Sequence, residues 1–293
     1  MTSDASGISG QLNVFVLVKS SAEREALRAR VAGAGYAAVP AGSLAAAAAL
    51  VREGADCRLA VIAADALAGG GERLGAFIVS CPRPPQLILC GIDLGSELAL
   101  YCLSHGAVEF LASPPDPEEL ARALREAAER VDSPTGGGAS LAVDRPVDGW
   151  IELTSPSELE QFRRFQRFSE ALFRRRLSPG VGEDLQLALE EVSRNAIEWG
   201  NRFNPDKSLR VSYCLFSDRV VIKIEDEGEG FVPEEVPDPT IHPTRLIRER
   251  REAGKRPGGY GVFLIRKLVD RLDYSEKGNS VLLTKYLDPP EGD

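Results

Sequence analysis

EDLQLALEEVSRNAIEW, residues 183–199, has the pattern of one amphipathic helix. Its apolar residues recur at positions i, i+3, i+4 and i+7, which is the spacing of a buried stripe. Glu191 and Asn195 are i, i+4 neighbours at the edge of that stripe, so their side chains project together where the helix meets the core. Polar groups beside a core need partners, and helix geometry alone leaves a functional pair and a satisfied structural pair both open. Glu190 lies four residues before Arg194 and is interpreted as half of an exposed ion pair.

A β-hairpin is predicted after this helix. Leu209–Leu215 alternates between apolar and polar residues, and the alternation resumes after a turn and continues to Asp226. Asp226 has the parity of the apolar residues, so its carboxylate faces the apolar side, where an ionised acid needs hydrogen bonds. Gly228 and Gly230 follow directly and permit a close approach of the backbone. This combination favours an acceptor for a purine amino group beside phosphates, and a strained turn with a capping Asp is the alternative.

A charged, proline-rich segment, residues 232–257, leads into a glycine cluster that opens a predicted helix, VFLIRKLVDRL at 262–272. Glycines that open a helix offer free N–H groups and the positive end of the helix dipole to a phosphate. Near the end of this segment, the side chains of Lys255 and Arg256 could neutralise phosphate charge. The residues concerned are Lys255, Arg256, Gly258, Gly259 and Gly261.

The order of these motifs resembles the GHKL superfamily of ATPases and kinases. The order is Glu-x-x-x-Asn on a helix, Asp-x-Gly-x-Gly after a strand, a charged segment, and Gly-Gly-x-Gly opening a helix. Within that superfamily the chain is most similar to the bacterial anti-sigma-factor serine kinases, and the closing strand Gly278–Lys285 also fits them. The resemblance covers about residues 150–288 and implies an α/β sandwich of the Bergerat (histidine-kinase-like ATPase) type. It implies ATP and Mg²⁺ as cofactors, an anti-sigma antagonist (STAS) protein and a sigma factor as partners, and homodimerisation.

The same resemblance implies a role for each motif. Asp226 would accept the N6 amino hydrogen of adenine, Asn195 would coordinate the Mg²⁺, and Glu191 would be the general base toward a serine hydroxyl. At Trp199 the family often has His, and at Asn279 it often has Thr, although Asn279 could still hydrogen-bond near the adenine. The residues implied to contact the nucleotide are Asn195, Asp226, Gly228, Gly230, Lys255, Arg256, Gly258, Gly259, Gly261 and Asn279, and residues 232–257 would be the lid.

Two other functions are compatible with such a site. A sensor histidine kinase needs a phosphoacceptor His on a dimerising helix, but the predicted helix Ser157–Phe173 contains none. His105 and His242 fall in a turn and in the lid, which argues against that function. A non-catalytic ATP-binding module that sequesters a sigma factor or regulator is the remaining alternative. Glu191 favours chemistry over this module, because nucleotide binding alone needs no base.

The first half, about residues 11–132, reads as strands alternating with helices and predicts a doubly wound parallel sheet. It resembles the receiver domain of bacterial response regulators, most clearly in GAVEFLASPPDPEELARAL, residues 106–124. Residues 18–20, Val-Lys-Ser, stand where such a domain holds Mg²⁺ with acidic side chains. Ala63 stands in place of the phosphorylated aspartate, with Asp65 two residues on.

Cys90 and Ser113 replace the hydroxyl and the lysine of a working receiver. The interpretation is a pseudo-receiver that accepts no phosphoryl group. Phosphorylation of Asp65 is the alternative, and a solvated loop carboxylate is the simplest interpretation of that residue.

Composition and charge limit the class of protein. The chain has 293 residues, 43% of them hydrophobic, which fits two globular domains. A net charge of −9 disfavours direct nucleic-acid binding. Five cysteines without Cys-x-x-Cys and only two histidines predict neither a disulfide framework nor a zinc site. The absence of a signal-like N-terminus or a long apolar run predicts no membrane segment and a cytoplasmic protein with reduced thiols. Residues 133–149, with three consecutive glycines and two prolines, are predicted to be a linker.

Overall fold

The computed structural model divides the chain into two compact units, residues 1–139 and 140–293, which we call the N-terminal and C-terminal units. Each unit contains its own β-sheet. The structure describes residues 12–67, 70–131, 141–144, 149–232 and 261–287.

The N-terminal unit contains a five-stranded parallel sheet with helices between its strands. The strands are β1 (Asn13–Leu17), β2 (Ala37–Ala41), β3 (Leu59–Ala63), β4 (Gln86–Cys90) and β5 (Ala107–Leu111). The helices are α1 (Ser21–Gly33), α2 (Leu44–Arg52), α3 (Gly71–Ser80), α4 (Glu97–Ser104) and α5 (Pro117–Arg130). The order β2-β1-β3-β4-β5 is that of flavodoxin-like receiver domains, and it confirms the predicted doubly wound sheet.

The three strands β3, β4 and β5 are buried at every residue, which explains their uninterrupted apolar sequences. Strand β2 and helix α3 were not predicted. Strand β2 contains Pro40, which only an edge strand tolerates, and it lies at the edge of the sheet. Helix α3 contains Gly71 and Gly75, and a Cβ at either would lie within 2.7 Å of the Tyr101 side chain. Tertiary packing therefore explains glycines that weaken the helical pattern.

The receiver-like edge of this sheet is apolar where a working receiver is acidic. Val18, Ala63 and Cys90 are all buried in one hydrophobic cluster. These three buried side chains stand at positions where a working receiver has acidic or hydroxyl groups, and the interpretation as a pseudo-receiver stays a prediction.

Asp65 is attached to the loop after β1. Its Oδ2 accepts hydrogen bonds from the backbone N–H groups of Lys19 at 3.0 Å and Ser20 at 3.2 Å. The Arg24 guanidinium donates to the carbonyls of Val18 at 2.8 Å and Lys19 at 3.3 Å in the same loop. Asp65 is therefore a half-buried capping carboxylate, and its interpretation as a freely solvated loop residue is wrong.

The C-terminal unit is an α/β sandwich with a six-stranded antiparallel sheet among its described residues. Helix α7 packs against both α6 and α8. The strand order is β10-β11-β9-β8-β7-β6. The strands are β6 (Ala142–Asp144), β7 (Ile151–Pro156), β8 (Ser208–Leu215), β9 (Arg219–Asp226), β10 (Arg271–Tyr274) and β11 (Ser280–Tyr286). The helices are α6 (Leu159–Arg176), α7 (Pro179–Asn195) and α8 (Gly261–Leu268).

Part of the predicted linker 133–149 is a strand. Residues 142–144 form β6 and pair in antiparallel fashion with β7, and Leu141 before them is only 1% exposed. The apolar stretch is too short to stand out between glycines and prolines, so the linker prediction extended too far toward the C-terminus.

The predicted helix 262–272 is also too long. The last helical hydrogen bond runs from the Val269 N–H to the Ile265 carbonyl at 3.1 Å. The next N–H, that of Asp270, donates to the Thr284 carbonyl at 2.9 Å and so begins the pairing of β10 with β11. The helix ends here because the backbone of Asp270 pairs with β11. The apolar periodicity of the sequence gives no sign of this pairing, so the predicted helix was too long.

Candidate functional site

A cavity of about 670 Å³ lies between α7 and the strands β9, β10 and β11. Glu191, Asn195 and Trp199 line it from the helix side, Asp226 from the end of β9, and Gly261 from the start of α8. The structure therefore brings the three separate sequence motifs to one cavity.

The end of α7 has an unusual geometry. The α-helix reaches Asn195 and continues as a π-turn over Ala196–Gly200, with the Asn201 N–H bonded to the Ala196 carbonyl at 2.7 Å. In an α-helix with 3.6 residues per turn, Gly200 would point well away from the direction of Asn195. The wider turn brings both residues to the cavity wall.

Glu191 and Asn195 form the pair that their spacing predicts. The Asn195 Nδ2 donates to the Glu191 Oε1 at 3.4 Å. Glu190 and Arg194 form the predicted ion pair on the outer side, and their side chains are 39% and 40% exposed. The helix thus separates a solvated ion pair from a polar pair that faces the cavity.

Gly261, the first residue of α8, packs directly on the polar pair. A Cβ at this position would strike the Glu191 Oε1 and would lie 3.2 Å from the Asn195 Nδ2. Any side chain here would displace one of the two groups. The backbone of α8 at Gly261 therefore lies directly against the Glu191 carboxylate.

Asp226 ends β9 with its carboxylate at the cavity, as its parity predicts. Its Oδ1 accepts the Gly228 N–H at 2.8 Å. Burial raises the pKa of Asp226, and the hydrogen bond from Gly228 opposes part of that rise. Asn279 holds the backbone of Asp226 from β11, because its Nδ2 donates to the Asp226 carbonyl at 2.8 Å and its own carbonyl accepts the Asp226 N–H at 2.9 Å.

Two residues beside Asp226 and the loop that follows it, Gly200 and Asn201, were not predicted from the sequence. A Cβ on Gly200 would strike the Asp226 carboxyl group, so the π-turn backbone lies directly against that acid. Asn201 is 1% exposed; its Oδ1 accepts the Glu227 N–H and its Nδ2 donates to the Ser208 carbonyl, both at 2.8 Å. The dipeptide Gly-Asn after a helix is also what an ordinary C-cap looks like, which explains the omission.

Gly230 and Gly278 mark a backbone crossing beside the cavity. Both have a left-handed backbone, with φ of 80° and 76°. A Cβ on Gly230 would strike the Lys277 carbonyl, and a Cβ on Gly278 would strike the Phe231 carbonyl. The close approach predicted for Gly230 is therefore an approach to the turn before β11.

An aromatic pair lies next to that crossing. The rings of Phe231 and Tyr274 meet edge to face, with centroids 5.2 Å apart and planes at 77°. Both residues line the cavity, and burial raises the pKa of Tyr274. Neither aromatic residue was predicted, because nothing in the local sequence distinguishes them from core residues.

Four predicted site residues lie outside the described residues, and so does most of the predicted lid. In the described part of the chain, no group of three or more His, Cys, Asp or Glu side chains could hold a metal ion. Among the residues that line the cavity, Asn195 carries an amide oxygen, which is a kind of ligand that Mg²⁺ accepts. Across the same described ranges, no helix has the length and apolar character needed to cross a membrane. The four residues are Lys255, Arg256, Gly258 and Gly259.

Comparison with solved structures concerns the receiver-like fold. The signal receiver domain of an HD domain-containing protein from Pseudomonas fluorescens matches 43% of this chain and 93% of its own, with 21% identity and a TM-score of 0.39. A response regulator receiver domain from Clostridium thermocellum matches 40% and 94%, with 18% identity and a TM-score of 0.35. The assignment of the N-terminal fold rests on its strand order.

Comparison with families and curated proteins concerns the C-terminal unit. Residues 155–285 match the family described as the histidine kinase-like ATPase domain. The serine-protein kinase RsbW of Oceanobacillus iheyensis is 30% identical over 114 residues, which are 38% of this chain and 69% of the relative. RsbW of Listeria monocytogenes is 30% identical over 36% of this chain and 66% of the relative, and RsbW of Staphylococcus epidermidis is 28% identical over 47% and 87%. The chain belongs, through its C-terminal unit, to the family of histidine kinase-like ATPases that includes the RsbW serine-protein kinases.

Proposed function

We propose that the C-terminal unit binds ATP with Mg²⁺ and transfers the γ-phosphoryl group to a serine hydroxyl of an anti-sigma antagonist of the STAS type. One observation supports this most: Glu191, Asn195 and Gly261 meet at one cavity that also contains Asp226. Gly200, which touches the Asp226 carboxyl group, is nine residues beyond Glu191. At a rise of 1.5 Å per residue, the two clusters lie roughly 13 Å apart along the helix, which suits an extended nucleoside triphosphate.

The Asp226 end fits a purine edge. A carboxylate oxygen is a hydrogen-bond acceptor, and the exocyclic amino group of adenine is a donor. Side chains at Gly200 or Gly228 would fill the space around the Asp226 carboxyl group, so their absence leaves it accessible. The bond from the Gly228 N–H and the two bonds to Asn279 hold this acid in one orientation.

The other end fits phosphates and a divalent cation. Because the Asn195 Nδ2 donates to Glu191, its Oδ1 points elsewhere, and a neutral oxygen is a ligand that Mg²⁺ accepts. Mg²⁺, when bound, neutralises charge on the phosphates. The backbone at Gly261 would face the same region with the positive end of α8.

Glu191 has the position of a general base. It is bound on Oε1 by Asn195 and lies against the backbone of Gly261, and it lines the cavity. In our proposal the Glu191 carboxylate takes the proton from the serine hydroxyl as the serine oxygen attacks the γ-phosphorus. The bond from that phosphorus to the β,γ-bridging oxygen breaks, and ADP leaves with the electron pair. Asn195 orients the carboxylate through the hydrogen bond to Oε1.

Matched substitutions at neighbouring glutamates test this proposal. Purified chain, γ-labelled ATP and the STAS antagonists of the source cell are combined, and transfer is measured together with calorimetric ADP binding. We expect Glu191→Gln to reduce transfer by about 10²–10⁴-fold, the usual contribution of a general base, and to leave ADP binding within about twofold of wild type. Glu190→Gln is the control, because Glu190 pairs with Arg194 on the solvated side; its transfer rate should be normal.

Two results would count against the proposal. Unchanged transfer in Glu191→Gln would remove the base assignment. ADP binding by the wild-type chain without transfer to any antagonist would favour a non-catalytic ATP-binding module that sequesters a sigma factor or regulator.

A further inference from the structure

Cys57 and Cys81 are two buried thiols of the N-terminal unit that the proposed function does not use. Cys57 lies in the loop between α2 and β3 and is 1% exposed, and Cys81 directly follows α3 and is 7% exposed. A helix between parallel strands returns the chain to the start of the next strand, so both thiols lie where β3 and β4 begin. The receiver-like positions Ala63 and Cys90 lie at the opposite ends of these strands, so the thiols form a separate cluster.

The two thiols are in contact with each other. The Cys57 S–H donates a hydrogen bond to the Cys81 Sγ, and the Cys81 thiol donates in turn to the Phe77 carbonyl at 3.4 Å. Residues 82–85, Pro-Arg-Pro-Pro, follow Cys81, whose backbone is extended as the residue before a proline prefers. A disulfide needs two side chains that already face each other, and this contact meets that requirement.

Cys81 is the more reactive thiol of the pair. The hydrogen bond from Cys57 lowers the pKa of Cys81, and a bond with Ser80 acts in the same direction, against the opposing effects of burial and of the Asp56 charge. The same contact raises the pKa of Cys57, so Cys57 keeps its proton while Cys81 ionises. Because the thiolate is the nucleophile, Cys81 reacts first. Its small exposed area limits the reaction to a small oxidant.

We infer that Cys57 and Cys81 form a dithiol site that hydrogen peroxide oxidises to a disulfide. The Cys81 thiolate attacks one peroxide oxygen, the O–O bond breaks, and the hydroxide that leaves takes up a proton to become water. The Cys57 sulfur then attacks the sulfur of the resulting Cys81 sulfenic acid, the S–O bond breaks, and a second water leaves with the Cys57 proton. The two sulfurs lose two electrons, which reduce the peroxide to water. This inference concerns the N-terminal unit and is independent of the proposed function.

Counting thiols before and after oxidation tests the inference on the full chain. The reduced chain is treated with hydrogen peroxide, freed of the excess, unfolded in urea and alkylated with N-ethylmaleimide, and intact mass spectrometry counts the alkylated cysteines. We expect five before the treatment and two fewer after it. A digest under non-reducing conditions should contain one peptide pair joined through Cys57 and Cys81, and dithiothreitol should restore all five thiols.

Substitutions separate the roles of the two thiols. In Cys57→Ser the hydroxyl can still donate to Cys81, but no thiol remains to close the disulfide, so dimedone should trap a sulfenic acid on Cys81. Cys81→Ser should give neither the adduct nor the disulfide. Cys102→Ala is the control, because burial raises the pKa of Cys102 to about 12, and it should form the disulfide as wild type does. Circular dichroism checks that each variant is folded.

Two results would overturn the inference. The first is five alkylated cysteines in wild-type chain after peroxide treatment. The second is thiol loss without the Cys57–Cys81 peptide pair, whether through another disulfide or through a sulfenic acid that does not close.

Discussion

At the scale of one residue, the burial of Asp226 changes its pKa and so makes stability depend on pH. Burial raises its pKa above the ordinary value of 3.8, and the Gly228 N–H limits that rise. The folded chain then binds this proton more readily than the unfolded chain does. Any stability gained from the protonated acid is complete below the unfolded pKa and is lost as the pH rises through the folded pKa.

The substitution Asp226→Asn should remove this pH dependence. We expect the free energy of unfolding of wild type, measured relative to Asp226→Asn, to decrease as the pH rises from 3.8 through the higher pKa of the folded state. Urea unfolding at a series of pH values gives the two curves. Parallel curves over that range would show that Asp226 titrates alike in both states.

The acids and amides of the site were predictable, and its small residues were not. The parity of Asp226 in a strand and the i, i+4 spacing of Glu191 and Asn195 depend only on local geometry, so the sequence contains them. Gly200 and Asn201 act through contacts with the loop at residues 226–228, which only the folded chain brings near. Trp199 was visible as a departure from a family pattern, but its exposure to the cavity depends on the π-turn.

At the scale of elements, two glycines allow the loop after β9 to cross the turn before β11. Gly278 combines a left-handed φ of 76° with a Cβ position that the Phe231 carbonyl already fills. Gly180, in the first turn of α7, has nothing within 4 Å of its Cβ position. Substitutions at these two positions therefore distinguish the effect of a left-handed backbone from the effect of helix propensity.

The substitution Gly278→Ala should destabilise the chain by about 2 kcal/mol or more, because left-handed strain costs about 1–2 kcal/mol and the steric contact adds to it. Gly180→Ala should leave stability unchanged or raise it by up to about 1 kcal/mol. Chemical denaturation measures both. Equal stability of Gly278→Ala and wild type would mean that the crossing can relax at no cost.

Element boundaries were predicted well where local signals mark them and poorly where pairing decides them. Strands β3 and β4 coincide with uninterrupted apolar runs, and the Ser43 side chain caps the start of helix α2, so local signals mark these three elements. Strands β6 and β10 exist through their partners β7 and β11. Their own sequences, three and four residues long, contain too little pattern to be assigned alone.

At the scale of the whole molecule, the chain joins a receiver-like unit without the acidic site to an ATPase-like unit. We propose that the receiver-like unit comprises about residues 11–132 and that the ATPase-like unit comprises about residues 150–288 together with β6. In this proposal the linker is the part of residues 133–149 that precedes β6, because β6 pairs with β7 in the second unit. Asp65 and Arg24 hold the loop after β1 through hydrogen bonds with its backbone.

Incubation with acetyl phosphate and Mg²⁺ should therefore leave the N-terminal unit unmodified. Intact mass spectrometry reads the result, and a working receiver protein treated in parallel should gain one phosphoryl group. The reason is that Asp65 already accepts the Lys19 and Ser20 N–H groups and has no acidic neighbours at Val18 or Ala63. Phosphoryl addition that disappears in Asp65→Asn would contradict this expectation.

The π-turn at Ala196–Gly200 also limits how this sequence can change in length. The π-turn has the effect of one extra residue in the last turn of the helix. It brings Gly200 to the same cavity wall as Asn195, whereas a regular α-helix would point Gly200 away from it. Deleting one residue between 196 and 200 would restore a regular helix without any loss of apolar pattern. The same deletion would rotate the end of the helix out of register with the loop at residues 226–228, so the Glu191–Asn195 pair and the Asp226 carboxylate would no longer line one cavity together.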